Sequence, residues 1–272
     1  MTKAGGLFLF LYSICTQAYA EDDYFLQLGV GAFALSIPDY PGSNEQTEYL
    51  VPLPYIYYQD KKISIDRQGI TSSLWQKGRF DFDISAAAGV PVKSEKNRAR
   101  IGMPDIDWTF ELGLSAKYFW KGTQRSKNHL FSELFIRKVT ATDFATLDGV
   151  GWHSGLATVV ERTSTFFKYP TKWSTRFNIN FNSGRYLDYY YGVEKQYQTA
   201  QRNKFQNNAG FAGVDLSSGV MMKLPSFWLG GFIKYYSFKQ SEQINSPLLT
   251  DDDGWAVGVG LLWVFYNNKE SL

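Results

Sequence analysis

The sequence predicts an all-β chain closed into an antiparallel transmembrane β-barrel of about 12 strands, and three observations predict it. Aromatic residues make up 17% of the 272 residues, yet the mean hydropathy is −0.28, so the aromatics are not gathered into apolar blocks. Apolar and polar side chains instead alternate with a period of two over long stretches, most clearly from Asp105 to Trp120, as expected of a strand with one apolar and one polar face. Beyond the N-terminal segment there is no run of the ~18 apolar residues that a spanning helix needs. A barrel strand shows lipid only every second residue, so its average hydropathy stays low.

Charge and cysteine usage narrow the partners. The 28 basic and 26 acidic residues give a net charge of +2 and are spread along the chain, without the basic stripe that nucleic acid requires. The single cysteine, Cys15, lies in a segment expected to be removed, which leaves a mature chain with neither a disulfide framework nor a thiolate metal site. No cofactor is expected.

Residues 1–20 read as a signal peptide. Lys3 gives the positive start, Gly5 to Ile14 the short apolar core, and Ala18-Tyr19-Ala20 the cleavage site ahead of Glu21-Asp22-Asp23. Tyr12-Ser13-Ile14 lacks the small residue expected before a lipidated cysteine. The mature chain, residues 21–272, is expected to be one barrel domain in a Gram-negative outer membrane, with outer-membrane lipid as its first partner.

Strands are expected near 24–36, 48–59, 61–66, 70–75, 79–90, 105–120, 129–139, 151–162, 172–182, 208–220, 226–238 and 253–266. In the long strand Trp108, Phe110, Leu112 and Leu114 face one way and Thr109, Glu111, Gly113 and Ser115 the other. Trp173, Phe177 and Phe181 alternate with Lys172, Arg176, Asn178 and Asn180, and Trp255 to Phe265 alternate with Gly254, Ala256, Gly258 and Gly260. A bacterial barrel has an even strand number, both termini in the periplasm, short periplasmic turns and longer external loops. The tight links at Asp60-Lys61, Lys77-Gly78, Lys121 to Asn128, Thr163 to Thr171 and Lys223 to Ser226 then fall inside, and the longer links 37–47, 91–104, 140–150, 183–207 and 239–252 fall outside. Gln68-Gly69 is a short external turn in this scheme.

The segment 183–207 carries Tyr186, Tyr189, Tyr190, Tyr191 and Tyr197, either as an external hairpin or as a plug over the mouth. Aromatic loops make good contact anchors, so the first four of these tyrosines are candidate external contacts of a surface adhesin. Pro38, Asp39, Tyr40, Pro41 and Gly42 read as rim architecture, because two prolines and a glycine stop strand pairing and fix a turn. Pro52 and Pro54 share a face within a strand and cannot donate ladder hydrogen bonds, so a bulge or irregular strand is expected there.

These stretches carry a resemblance. Ile37-Pro38-Asp39-Tyr40-Pro41-Gly42-Ser43 followed by Val51-Pro52-Leu53-Pro54 resembles the signature of the MipA/OmpV family, the MltA-interacting proteins of the outer membrane. Gly29-Val30-Gly31, Arg100 with Gly102-Met103-Pro104-Asp105, Tyr190-Tyr191-Gly192-Val193 and Ser246-Pro247-Leu248 reinforce it. The resemblance implies a scaffold that brings a lytic murein transglycosylase together with a peptidoglycan synthase. A pore or transport barrel is the alternative, since ~12 strands leave room for a narrow channel. Outer-membrane barrels usually end on an aromatic residue, whereas here Phe265-Tyr266 is followed by Asn267 to Leu272.

No catalytic site is expected. The two histidines, His129 and His153, each flank or open a predicted strand. His153 and Ser154 are consecutive, so they face opposite sides and make a poor nucleophile and base pair. Asp251-Asp252-Asp253 reads as a solvated rim. Asp81 with Asp83 and Asp105 with Asp107 share faces at period two and are expected to pair with Arg and Lys across strands.

Overall fold

The structure, a computed structural model, describes residues 25–59, 63–66, 69–124 and 126–268. The expected signal peptide, the links at Asp60-Lys61 and Gln68, and the end of the tail lie outside the described residues. Among the described residues the chain forms β1 (Phe25–Pro38), β2 (Gln46–Gln59), β3 (Ile63–Asp66), β4 (Gly69–Lys77), β5 (Phe80–Gly89), β6 (Trp108–Lys121), β7 (Asn128–Thr142), β8 (Leu147–Phe166), β9 (Tyr169–Asn182), β10 (Gly210–Lys223), β11 (Phe227–Ser237) and β12 (Asp253–Asn267). One helix, α1 (Gly184–Tyr191), lies between β9 and β10. Each strand is antiparallel to its neighbour in sequence, and β1 pairs with β12 from Gln27–Asn267 to Ser36–Val257, which closes the sheet into a barrel.

The period-two pattern sets which face is which. On β6, Leu112 and Leu114 are 63% and 57% exposed on the outside while Thr109 and Ser115 are 2% and 4% exposed inside. Large apolar side chains remain exposed on the outside of almost every long strand, including Leu134, Ile136, Leu156, Leu229, Val259 and Leu261. Exposed aromatics collect at both ends of that surface, with Trp108, Trp152 and Trp255 at one rim and Trp120, Trp173 and Trp263 at the other. At ~3.3 Å per residue and a tilt near ~40°, Trp108 and Trp120 stand about 30 Å apart along the barrel axis, close to a bilayer's hydrocarbon thickness.

Two rims differ. One carries the start of β1, the end of β12 and short connections, such as the two-residue turn Phe167-Lys168. The other carries the long loops 90–107, 183–209 and 238–252. Strand boundaries depart from expectation where β7 and β8 run on. The predicted loop 140–150 contracts to Asp143–Thr146, because Thr140, Ala141 and Thr142 pair with Gly149, Asp148 and Leu147. The predicted 163–171 link becomes strand for the same reason, with Thr163 to Phe166 paired onto Tyr169 to Lys172.

The expected irregularity at Pro52 and Pro54 is corrected. β2 keeps an unbroken register with β1, including Ala32–Pro52 and Val30–Pro54. Residues two apart in an antiparallel strand turn their backbone polar groups to the same side. Away from β1, β2 pairs only at Tyr58–Ile65 and Gln59–Ser64. Both prolines therefore sit where no ladder hydrogen bond is required of them, as edge prolines do.

Candidate functional site in the lumen and its tyrosine cap

Inward side chains give the lumen two unlike walls. β12, β1 and β2 present Gly258, Gly260, Gly31, Phe33, Val51 and Tyr55, with no charge among them. Each strand from β5 to β11 instead contributes at least one polar group to a chain of contacts. Arg137 donates Nε to Ser85 Oγ at 2.8 Å and lies 3.3 Å from Glu111. Glu111 meets His153 Nδ1 at 2.9 Å, and His153 Nε2 lies 3.4 Å from Asn180 Oδ1. Asn180 and Asn178 donate to the two oxygens of Asp215 at 2.9 and 2.8 Å, and Lys234 completes the set at 3.1 Å. Nearer the short-turn rim, Glu133 pairs with Arg176 at 2.7 Å, Asp83 with Lys117 at 2.5 Å and Glu161 with Lys172 at 2.7 Å. Charge withdrawn from water is costly unless paired, and these pairs satisfy it. Asp83 thus finds a cross-strand cation as expected, whereas Asp105 pairs with Lys93 at 2.7 Å within the loop between β5 and β6.

Both ring nitrogens of His153 are engaged, by Glu111 and Asn180. Ser154 points away and donates to Phe181 O at 2.8 Å, while the His153 ring stacks on Tyr186 at 5.6 Å. His129 pairs with Glu161 at 3.0 Å.

The long-loop mouth is covered. Ser183 caps α1 by accepting from Tyr186 N, and the helix lays Leu187 and Tyr191, 0% and 4% exposed, on a cluster of Tyr40, Val92, Ile106 and Ala212. The segment 183–207 is therefore a plug rather than an external hairpin. The candidate contact residues Tyr186, Tyr189, Tyr190 and Tyr191 turn into the mouth. Tyr189 Oη accepts from Asp107 N at 2.8 Å, Tyr190 Oη lies 3.4 Å from Thr109 Oγ1, and Tyr191 donates to Pro41 O at 2.7 Å. Burial pushes the hydroxyls of Tyr40 and Tyr189 up to about 12 and those of Tyr186 and Tyr191 well above their ordinary value.

Every motif stretch named from the sequence on the long loops meets at this cap. Tyr40 donates to Leu248 O at 2.7 Å, Ser246 donates to Tyr191 O at 2.6 Å, and Arg100 donates to Tyr190 O at 2.9 Å while lying 5.6 Å from the Tyr40 ring. Burial lowers the Arg100 guanidinium from its usual range. Asp39 accepts from Thr47 at 2.6 Å and from Asn97 at 2.9 Å. Gly42 has φ +85° and its carbonyl accepts from Thr250 N and Asp251 N, so a side chain there is strained and would strike Leu249.

The model for the MltA-interacting protein MipA family matches residues 30–265. The chain belongs to the MipA family. The match reaches from within β1 to within β12 and takes in every loop that builds the cap. None of the curated proteins compared with the chain matches it. Among solved structures, a Pseudomonas aeruginosa FadL homologue aligns over 89% of this chain and 90% of that chain at 8% identity, with a TM-score of 0.21. The low-pH structure of Pseudomonas putida OprB aligns over 89% and 92% at 6% identity, with a TM-score of 0.14. At such scores neither likeness bears on function.

Sequence reasoning missed the lumen chain through Ser85, Arg137, Glu111, His153, Asn180, Asp215 and Lys234. Period-two facing marked Glu111 and Asn180 as belonging to the polar face, but pairing follows from register, which periodicity does not supply.

Proposed function

We propose that this MipA-family chain is an outer-membrane barrel that serves as a scaffold on its periplasmic side, holding a murein transglycosylase of the MltA kind and, beside it, a peptidoglycan synthase. The family match over residues 30–265 carries this reading. The geometry supports it in two ways. A capped mouth and a lumen crossed by paired charges favour a barrel whose working part is its surface. Tyrosines packed inward also leave the adhesin reading without its anchors.

The short-turn rim offers the surface. β8 runs past its last pairing with β7 at Asn128–Arg162 and β9 past its last pairing with β10 at Thr171–Met222, so the hairpin tip from Thr165 to Pro170 projects clear of both neighbouring strands. Its turn places Phe167 at φ +44° and Lys168 at φ +72°, the mirror-image geometry that Asn-Gly adopts with less strain. Phe167 is 78% exposed, and its ring meets that of Phe166 at 4.4 Å. Two strained residues in an exposed turn, one of them a bare phenyl ring, are what a contact site retains at a cost in stability.

The test is capture of a murein transglycosylase and a peptidoglycan synthase by the purified barrel, beside the variant Phe167→Asn with Lys168→Gly. The barrel is expected to recover both enzymes, and the variant to fold at least as stably and recover less. Recovery of neither, under conditions where a known pair survives, overturns the scaffold reading. Planar-bilayer conductance addresses transport, and a silent folded barrel is expected.

A further inference from the structure

We propose that the barrel wall has a lateral opening between β2 and β5, through which the acyl chain of an outer-leaflet lipid reaches the chamber beneath the tyrosine cap. The proposal rests on the membrane orientation adopted above.

The opening follows from strand lengths. β3 and β4 are short, and β4 pairs with β5 only from Lys77–Phe80 to Ser73–Asp83. Above that level Ile84 to Gly89 of β5 pair with β6 alone, and Gln46 to Tyr57 of β2 pair with β1 alone, among the described residues. Six residues of unpaired β5 edge correspond to ~20 Å of height. β4 itself runs on past Ser73 to Gly69 but pairs there with β3 alone, so beside the lower part of that edge the wall is an unbonded seam, and above the β3–β4 hairpin the missing continuation of two strands opens it to ~10 Å of width. Above, the loops clasp across it. Asn97 donates to Asp39 and to Ser43 at 2.9 and 3.0 Å, and Arg98 meets Glu45 at 2.8 Å.

Its borders are small and apolar. Ala86, Ala87, Ala88 and Gly89 form one side; Leu50, Pro52 and Pro54 stand exposed on the other. Unpaired strand edges ordinarily invite another strand. Pro52 and Pro54 deny one here, since neither has an N–H to offer and both aim that position at the gap. A lipid chain makes no such demand on the backbone, which favours it over an added strand as the occupant.

The gap communicates with a chamber of about 380 Å³ under the cap. Ile37, Pro38 and Val90 line its apolar side; Glu111, His153 and Lys234 belong to its polar floor. Two residues mark the connection. Ala88 shares the outward face of Phe82 and Ala86 yet lines the chamber, and Ala87 shares the inward face of Asp83 and Ser85 yet is exposed. In a continuous wall the outward-facing Ala88 would not line the chamber.

The experiment places the photoreactive residue p-benzoylphenylalanine at Ala87, at Leu112 on the outer face of β6, and at Ser217 inside β10 away from the gap, in barrels reconstituted into phosphatidylcholine vesicles. After irradiation, mass spectrometry counts phospholipid adducts. Adducts are expected at Leu112 and Ala87 and not at Ser217, with Ala88→Trp reducing those at Ala87 to the Ser217 level. Adducts at Leu112 but none at Ala87 overturn the lateral opening while leaving the membrane barrel intact; none at Leu112 overturns the membrane barrel itself. Should the bulky residue prevent folding at Ala87, a nitroxide on a cysteine there reads the same contact through oxygen accessibility, with low accessibility equal to that at Ser217 overturning the opening.

Discussion

Truncating Leu187 to alanine asks how the cap is held. An eight-residue helix is unstable alone, so α1 must draw its stability from what it is packed against. Leu187 is 0% exposed and sits among Tyr40, Val92, Ile106 and Tyr191. Removing such a buried side chain costs about 3 kcal/mol, from lost transfer free energy and the cavity left behind. At ~1.4 kcal/mol per tenfold, the population of cap-open molecules rises by roughly 100-fold. The barrel's strand ladders do not involve Leu187, so the effect is local. Hydrogen exchange followed by mass spectrometry should show faster exchange over residues 184–191, and trypsin should cut sooner after Arg185 and Lys195, while peptides from β6 to β8 keep their protection. Unchanged exchange over α1, or loss of protection in the cap and the barrel together, would refute the view that the cap is a separate unit held by this cluster.

Alkaline pH should loosen the same cap. Burial raises the Tyr40 and Tyr189 hydroxyls to about 12, whereas an unfolded tyrosine titrates near ~10. The folded cap therefore favours the protonated form; its stabilisation is complete below pH ~10 and is lost as the pH rises through about 12. Tyrosinate absorbance should appear late for these residues, with trypsin cleavage after Arg185 accelerating over the same window. In the lumen, Glu133→Ala leaves Arg176 without its partner at 2.7 Å and should cost about 3 kcal/mol of unfolding free energy in detergent. Adding Arg176→Ala should recover part of that loss, and an additive double mutant would show the pair to be uncoupled.

The strand count, the facing of each strand and the parity of the loops were legible because all three depend on period-two alternation, which survives in β6, β9 and β12 without knowledge of partners. The ends of β7 and β8 were not. Asp143, Gly149 and Gly151 look like turn residues locally, yet β7 pairing carries the strand through Gly149 and Gly151 and holds Gly151 at φ +124°. α1 was hidden by four tyrosines, which have little helix propensity. Its signals were nonetheless present in the N-cap Ser183, the pair Leu187 and Tyr191 at i and i+4, and Gly192 just beyond. The proline pairs were read correctly as special and wrongly as a bulge, because an edge strand inside an otherwise closed wall depends on how short β3 and β4 are. Convergence of Tyr40, Arg100, Tyr191 and Ser246 on one cap is a matter of loop packing, which no local pattern encodes.

Site-directed nitroxide scanning along β6 from Trp108 to Lys121 in lipid vesicles tests the account most directly. Oxygen accessibility should alternate, high at positions 110, 112 and 114 and low at 109, 111, 113 and 115. Uniform accessibility along the strand, or a period of 3.6, would contradict a barrel whose two faces meet lipid and lumen.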